Sequence, residues 1–334
     1  MEPQRRPRWM SVAPCVAMVV YSICLLRFHV QADRNESFSE ESGIPAGSFT
    51  SLWDRVKAGP NALTTIDKIL FGALILMAFE LLDYISGHVG TWINAKLIPV
   101  RGKHLDELSG KDILFVGLNK AATAPFVYIV LRYAYFEPNV VWSVKEMSLM
   151  NTVLPLPVLY IVFDLFYTVI HWALHIKAIY GYIHKHHHNQ KAPSRANVDA
   201  VNVHPIEFFL GEYDHLLSLF LVCNLFGMQV HIVATIFFLA FGGLLAGLNH
   251  TRFDVCFSLL GIKLYDSKAH DVHHRIPQSN YGQYMMLWDY IFGSYRPYNP
   301  NDRVNPKAQL DPTTGKSIEY TEAKKLATKQ GKLQ

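Results

Sequence analysis

The sequence is short of charge. Lys, Arg, Asp and Glu make up 17% of its 334 residues, against about 25% in an ordinary soluble domain. It is also short of cysteine: Cys15, Cys24, Cys223 and Cys256 form no CxxC pair, and the first three lie in apolar runs. That excludes a disulfide scaffold and a thiolate metal site. No long Lys/Arg block is present and the net charge is only +4, which argues against a nucleic-acid partner. No internal repeat is visible. What remains is apolar: half the residues are hydrophobic and the mean hydropathy is +0.12, the balance of a membrane protein with substantial polar parts.

The apolar residues fall into blocks. "SVAPCVAMVVYSICLLRF" (11–28) follows a basic start and reads as an anchor helix rather than a cleaved signal. Residues 69–86, 113–136 and 153–170 each approach the ~20 residues needed to cross a bilayer. Asp83, Lys120 and Asp164 interrupt them, and Pro155 and Pro157 delay the start of the last helix. The block 216–248 is too long for one span, so a hairpin of two short helices turning at Gly227 is expected. Arg5, Arg6 and Arg8 put the N-terminus in the cytosol, and Lys96, Arg101, Lys103 and Lys111 mark a cytosolic loop. The sequon at Asn35 then falls in the lumen and His171 returns to the cytosol; the sequon at Asn249 is expected to stay unglycosylated. The resulting architecture is all-α: a multi-span transmembrane helical bundle with a cytosolic histidine-rich helical cap. It divides into 1–66 (anchor and lumenal segment), 67–150 (transmembrane helices and basic loop), 151–298 (histidine-rich domain) and 299–334 (polar cytosolic, partly disordered tail).

Histidine is in excess, and thirteen of the sixteen lie between 171 and 274. His171 and His175 are four apart and share a helical face. His184, His187 and His188 form HxxHH; His270, His273 and His274 form a second. Any one of these alone is ordinarily a satisfied polar residue. Three groups on one predicted face are better explained as metal ligands. Neutral imidazole suits iron, copper, nickel and zinc. One zinc needs only three or four protein ligands, so eight histidines imply two metals. Carboxylate di-iron bundles use paired Glu-x-x-His motifs instead, which do not occur here in that arrangement.

With "HPIE" (His204–Glu207) and "NH" (Asn249, His250) added in order, residues 155–297 resemble the membrane-bound fatty acid hydroxylase / sterol desaturase superfamily. "NYGQYMMLWDYIFGSYRP" (280–297) is similar to the segment after the last histidine box of sterol C5-desaturases. The resemblance implies a non-haem iron oxidoreductase of the endoplasmic reticulum membrane with its boxes facing the cytosol. It implies two irons, with zinc possible in a purified form. The implied metal ligands are His171, His175, His184, His187, His188, His270, His273 and His274, completed by His250 and His204. His186 lies outside the pattern. The ligands' second nitrogens need acceptors, for which Asp164, Asp199, Glu207, Asp254 and Asp271 are candidates.

The implied reaction uses O2 on a membrane lipid: sterol desaturation first, with hydroxylation of a sterol or fatty acyl chain as the alternative. No HPGG cytochrome b5 motif is present, so electrons come from a separate cytochrome b5 or its reductase. One departure stands out. "SRANVDAVNV" (194–203) replaces the threonine and aromatic residues found there in sterol desaturases, in a region expected to shape the substrate entrance. Among the aromatics, Tyr281, Tyr284, Trp288, Tyr290 and Phe292 are expected to pack the cap, and Lys324, Lys325, Lys329 and Lys332 to be solvated. A histidine-rich metal transporter or sensor is the rival from another class. It needs polar residues along a path through the bilayer, whereas these histidines collect at one end.

Overall fold

The structure is a computed structural model and describes residues 51–259, 262–310 and 316–331. The proposed anchor helix (11–28) and the Asn35 sequon lie outside the described residues. The chain is mostly helical. A short α1 (Leu52–Ala58) leads into α2 (Thr65–Trp92), then α3 (Gly110–Phe136). A one-turn α4 (Leu149–Thr152) precedes α5 (Pro155–Leu174), and α6 (Lys177–Tyr180) and α7 (Asn197–Ala200) lie in the connection to α8 (Pro205–Asn224). Next come α9 (Ile232–Asn249), α10 (Ser267–Arg275), α11 (Leu287–Phe292) and α12 (Ile318–Gly331). Two small sheets interrupt the helices: β1 (Val140–Val141) pairs parallel with β2 (Val230–His231), and β3 (Cys256–Leu259) pairs antiparallel with β4 (Ile262–Asp266).

Local sequence explains the helix starts. Thr64 and Asp67 form a capping box for α2, and Arg55 from α1 holds both Asp67 oxygens at 2.8 Å. Ser109 and Asp112 do the same for α3. Reciprocal capping satisfies amides that have no partner inside the helix. Pro155 is the first residue of α5, where its missing N–H costs nothing and its ring fixes the entry.

Among the described residues, four helical stretches are long and apolar enough to cross a membrane: 65–92, 110–136, 149–174 and 232–249. α2 leaves Ile66, Ile69, Leu70, Leu74, Met77 and Leu81 exposed, which suits lipid rather than water. The core runs between α5, α8 and α9, centred on Leu159, Phe163, Leu216, Leu219, Val222 and Phe238.

Two expectations change. The block 216–248 does turn at Gly227, whose φ of +61° is left-handed and suits a residue without Cβ. Its arms are not two short dipping helices, however. α8 already begins at Pro205, and α9 is a full 18-residue apolar helix. The polar C-terminal segment, expected to be partly disordered, contains α12. Ser317, just before it, donates through both N and Oγ to Asp106 at 2.6 Å, and Tyr320 bonds Glu107. Partners for these polar groups lay 211 and 213 residues away, where local composition does not look.

Candidate metal centre

The site forms where α5 ends. His171 is in its last turn and His175 is its C-cap. The chain then turns through α6, bringing back His184, His187 and His188. His250 caps α9, and the short α10, started by the Asp266 side chain, carries His270, His273 and His274. Among the described residues, nine histidines meet in two groups. His171, His175, His184, His188 and His273 form the first; His187, His250, His270 and His274 form the second. Within each, one ring nitrogen per residue lies within 4.8 Å of all the others. The boxes are therefore divided between groups: HxxHH at 184–188 gives two members to the first and one to the second.

The protonation pattern tests whether a cation fits. His171 Nδ1 donates to the Tyr281 carbonyl at 2.8 Å, and His184 Nδ1 to Glu207 Oε1 at 2.7 Å. A neutral imidazole has one N–H, so both Nε2 atoms present lone pairs, and they face each other at 3.1 Å. His273 Nδ1 donates to Ser279 O at 2.7 Å, leaving a buried Nε2 with no partner. His175 Nε2 is also unpartnered.

In the second group, His250 and His274 spend their Nδ1 protons on the carbonyls of Ala246 (2.8 Å) and Gln190 (2.9 Å). Their Nε2 lone pairs both approach His270 Nε2 at 3.1 Å. One nitrogen cannot donate its single proton straight at both. Lone pairs converging at about 3 Å repel one another unless a cation stands among them. Nitrogens that each lie ~2.1 Å from a shared metal are spaced in this way. Both groups fit a metal ion.

The electrostatics agree. Burial, reinforced by neighbouring imidazoles, holds His184, His187, His188, His270, His273 and His274 well below the usual imidazole range. Burial brings His175 down to about 2. Neutral imidazole is the form that binds metal.

The remaining candidates separate. His204 joins neither group: it caps α8, its Nδ1 accepting from the Ile206 amide at 3.2 Å, and its ring meets Phe115 edge to face. The proline after it starts a helix, and capping that helix turns the imidazole away. His186 also stays outside, against Asn202 and Asp112 at 3.0 Å. Of the five candidate carboxylates only Glu207 touches a site histidine. Asp199 binds Arg195, Asp271 binds Arg252 and Arg275, and Asp254 binds Lys268. Asp164 acts at one remove, through the backbone of residues 283–285.

Backbone carbonyls of Gln190, Ala246, Ser279 and Tyr281 fill the role expected of carboxylates. Residue types carry no signal of them, since every residue has a carbonyl. Tyr281 and Tyr284 are buried, as expected for packing, while Tyr290 is 40% exposed. Asn249 is buried and donates to Gln283 O at 2.7 Å, which closes that sequon to glycosylation.

Beside the histidines lies a cavity of about 320 Å³ between α2, α3, α5, α8 and α9, whose lining includes His171 and Glu207. Its walls are mainly apolar. Asn197, Ala200, Val201 and Val203 of the departing 194–203 stretch line it, small side chains where bulkier aromatic ones would narrow it.

Residues 156–294 match a family model described as fatty acid hydroxylase. The chain is 29% identical over 133 residues to methylsterol monooxygenase 1 of Rattus norvegicus, covering 39% of this chain and 43% of that protein. It is 30% identical over 151 residues to lathosterol oxidase of Homo sapiens, covering 41% and 43%. It is 30% identical over 135 residues to Delta(7)-sterol 5(6)-desaturase of Leptosphaeria maculans, covering 40% and 34%. The chain spans less than half the length of each of these relatives. No solved structure matches it.

Proposed function

We propose that this chain, whose residues 156–294 match the fatty acid hydroxylase family model, is a membrane-bound oxidoreductase acting on a sterol at two histidine-held irons. The observation that carries the reading is the division of nine buried histidines into two groups whose lone pairs converge. His171, His175, His184, His188 and His273 would hold one ion, and His187, His250, His270 and His274 the other. A pair of irons, when bound, supplies O2-driven removal of hydrogen from an unactivated C–H bond. When an alkene forms, two hydrogens from the substrate, two electrons from a donor and two protons from water reduce O2 to two waters.

The protein's own part is orientation and exclusion. Hydrogen bonds to Tyr281, Glu207, Ser279, Ala246 and Gln190 lock the imidazoles with Nε2 inward. Burial keeps water from the centre. The apolar cavity presents a lipid to the His171 side. Which carbon meets the centre, to within about an ångström, selects the reaction. C5 desaturation is the lead reading, supported by the similarity to the fungal 5(6)-desaturase and to lathosterol oxidase. Oxidation of a 4-methyl group is the second, favoured by the methylsterol monooxygenases of rat and zebrafish. We place the histidine end in the cytosol of the endoplasmic reticulum membrane, within reach of cytochrome b5 or its reductase. The loop around Lys103 supports this, since its positive charges lie beside the histidine segment: Lys191 N donates to Lys103 O at 3.0 Å.

Expression in yeast lacking sterol C5-desaturase, followed by sterol profiling, tests the activity. A restored C5 double bond supports the lead reading, loss of 4-methylsterols supports the second, and an unchanged profile for both sterol classes refutes the sterol assignment. His187→Ala and His273→Ala should each abolish turnover while leaving membrane insertion intact. Metal analysis of the purified protein should find about two ions per chain.

A further inference from the structure

Glu207 has a second oxygen that the metal centre does not use. Oε1 receives the His184 Nδ1–H at 2.7 Å. Oε2 is buried and has no hydrogen-bond partner among the described residues. The side chain is 10% exposed and lines the cavity, as does His171, and both residues contact His184. A buried carboxylate oxygen without a donor is costly, about 1–3 kcal/mol or more, so this position calls for an O–H or N–H from whatever fills the cavity. Gly211, one turn further along α8, also lines the cavity. The nearest atom to a Cβ built there is a Tyr167 ring carbon at 3.7 Å, so the face beside the carboxylate stays open.

We infer that Glu207 Oε2 accepts the hydroxyl of the substrate, making the ligand class a lipid alcohol whose hydroxyl lies a few bonds from the reacting carbon. This rests on the sterol reading above and sharpens it. In a 3-hydroxysterol, C5 and a methyl on C4 are each three bonds from the hydroxyl oxygen. A hydroxyl held beside the ligand His184 therefore keeps either carbon at the histidine end, with the rings and side chain along the apolar walls. A free fatty acid would present a carboxylate to a carboxylate, and a steryl ester or ether has no proton to give.

The test uses the full chain, iron-loaded, in lipid nanodiscs, with binding as the readout. Tritiated cholesterol is bound and competed with unlabelled cholesterol or its 3-methyl ether. For the wild type the ether should compete at least about 10-fold more weakly, because it leaves the buried Oε2 acceptor unpaired. In Glu207→Gln the amide oxygen can still receive His184 while the amide N–H₂ faces the cavity. The alcohol preference should then shrink or reverse when compared with the wild type at matched metal content. Equal competition by alcohol and ether in the wild type overturns the assignment and leaves the sterol reading standing. Absence of any cholesterol binding overturns both. A Glu207→Gln protein that keeps its metal and its full preference for the alcohol also overturns it.

Discussion

At the scale of single residues, two carboxylates do more than any one histidine to shape the centre. Asp164, inside α5, accepts the backbone N–H groups of Gln283 at 2.9 Å, Tyr284 at 3.0 Å and Met285. Asp289 accepts those of Tyr281 and Gly282 at 2.8 Å. Together they hold the 281–285 turn, whose Tyr281 carbonyl fixes the ring of His171. Asp164→Ala leaves buried amides unpaired at about 1–3 kcal/mol each. The expected result is a melting temperature lower by several degrees, with metal lost first from the group containing His171. Thermal unfolding and metal content on the same sample check this, and an unchanged melting temperature would contradict it. Asp164 was legible in the sequence only as a polar interruption of an apolar run. Its role depends on a turn 120 residues later.

At the scale of elements, α9 must pass close to α2 and α7 to bring His250 into the second group. Gly247 makes that approach possible. A Cβ there would stand 2.5 Å from Ser86 Oγ and 2.7 Å from Asn197 Oδ1, both on buried residues. Gly247→Ala is expected to cost about 1–3 kcal/mol through overpacking. Gly72→Ala, on α2 with nothing within 4 Å, should be near neutral or slightly stabilising because alanine is the better helix former. Thermal unfolding of the two variants side by side checks the contrast, and similar melting temperatures would refute the close approach. The periodicity of α9 announces an apolar helix and says nothing about which of its glycines meets a neighbour.

At the scale of the whole molecule, burying nine imidazoles makes stability depend on pH. Burial keeps His184, His187, His188, His270, His273 and His274 neutral in the native state well below 6.5. The unfolded chain takes up protons as pH falls through about 6.5. Unfolding then consumes protons, so stability rises with pH across this window and falls below it, by up to about 1.4 kcal/mol per pH unit for each such histidine. The metal-free protein should unfold at progressively lower temperature from about pH 7 to pH 5 and change little above pH 7.5. A flat profile between pH 5 and 7 would contradict neutral burial. Accessibility mapping of the 177–203 segment checks orientation: reaction with impermeant reagents from the cytosolic side is expected.

The helical membrane architecture, the histidine boxes and their capacity to hold a metal were determined by the sequence alone. Spans and boxes are written in local periodicity and residue type, which a single chain displays directly. Four of the expected apolar stretches appear as long helices or parts of them, and nine of the ten expected ligands converge. Only the tertiary structure decided how the nine, eight from the three boxes and His250, divide into five and four. It also turned His204 away to cap a helix, and it supplied backbone carbonyls where carboxylates were expected. These outcomes follow from contacts between segments as much as 110 residues apart, such as His171 with Tyr281. Helix packing sets such contacts, and residue spacing along one strand of sequence does not record them.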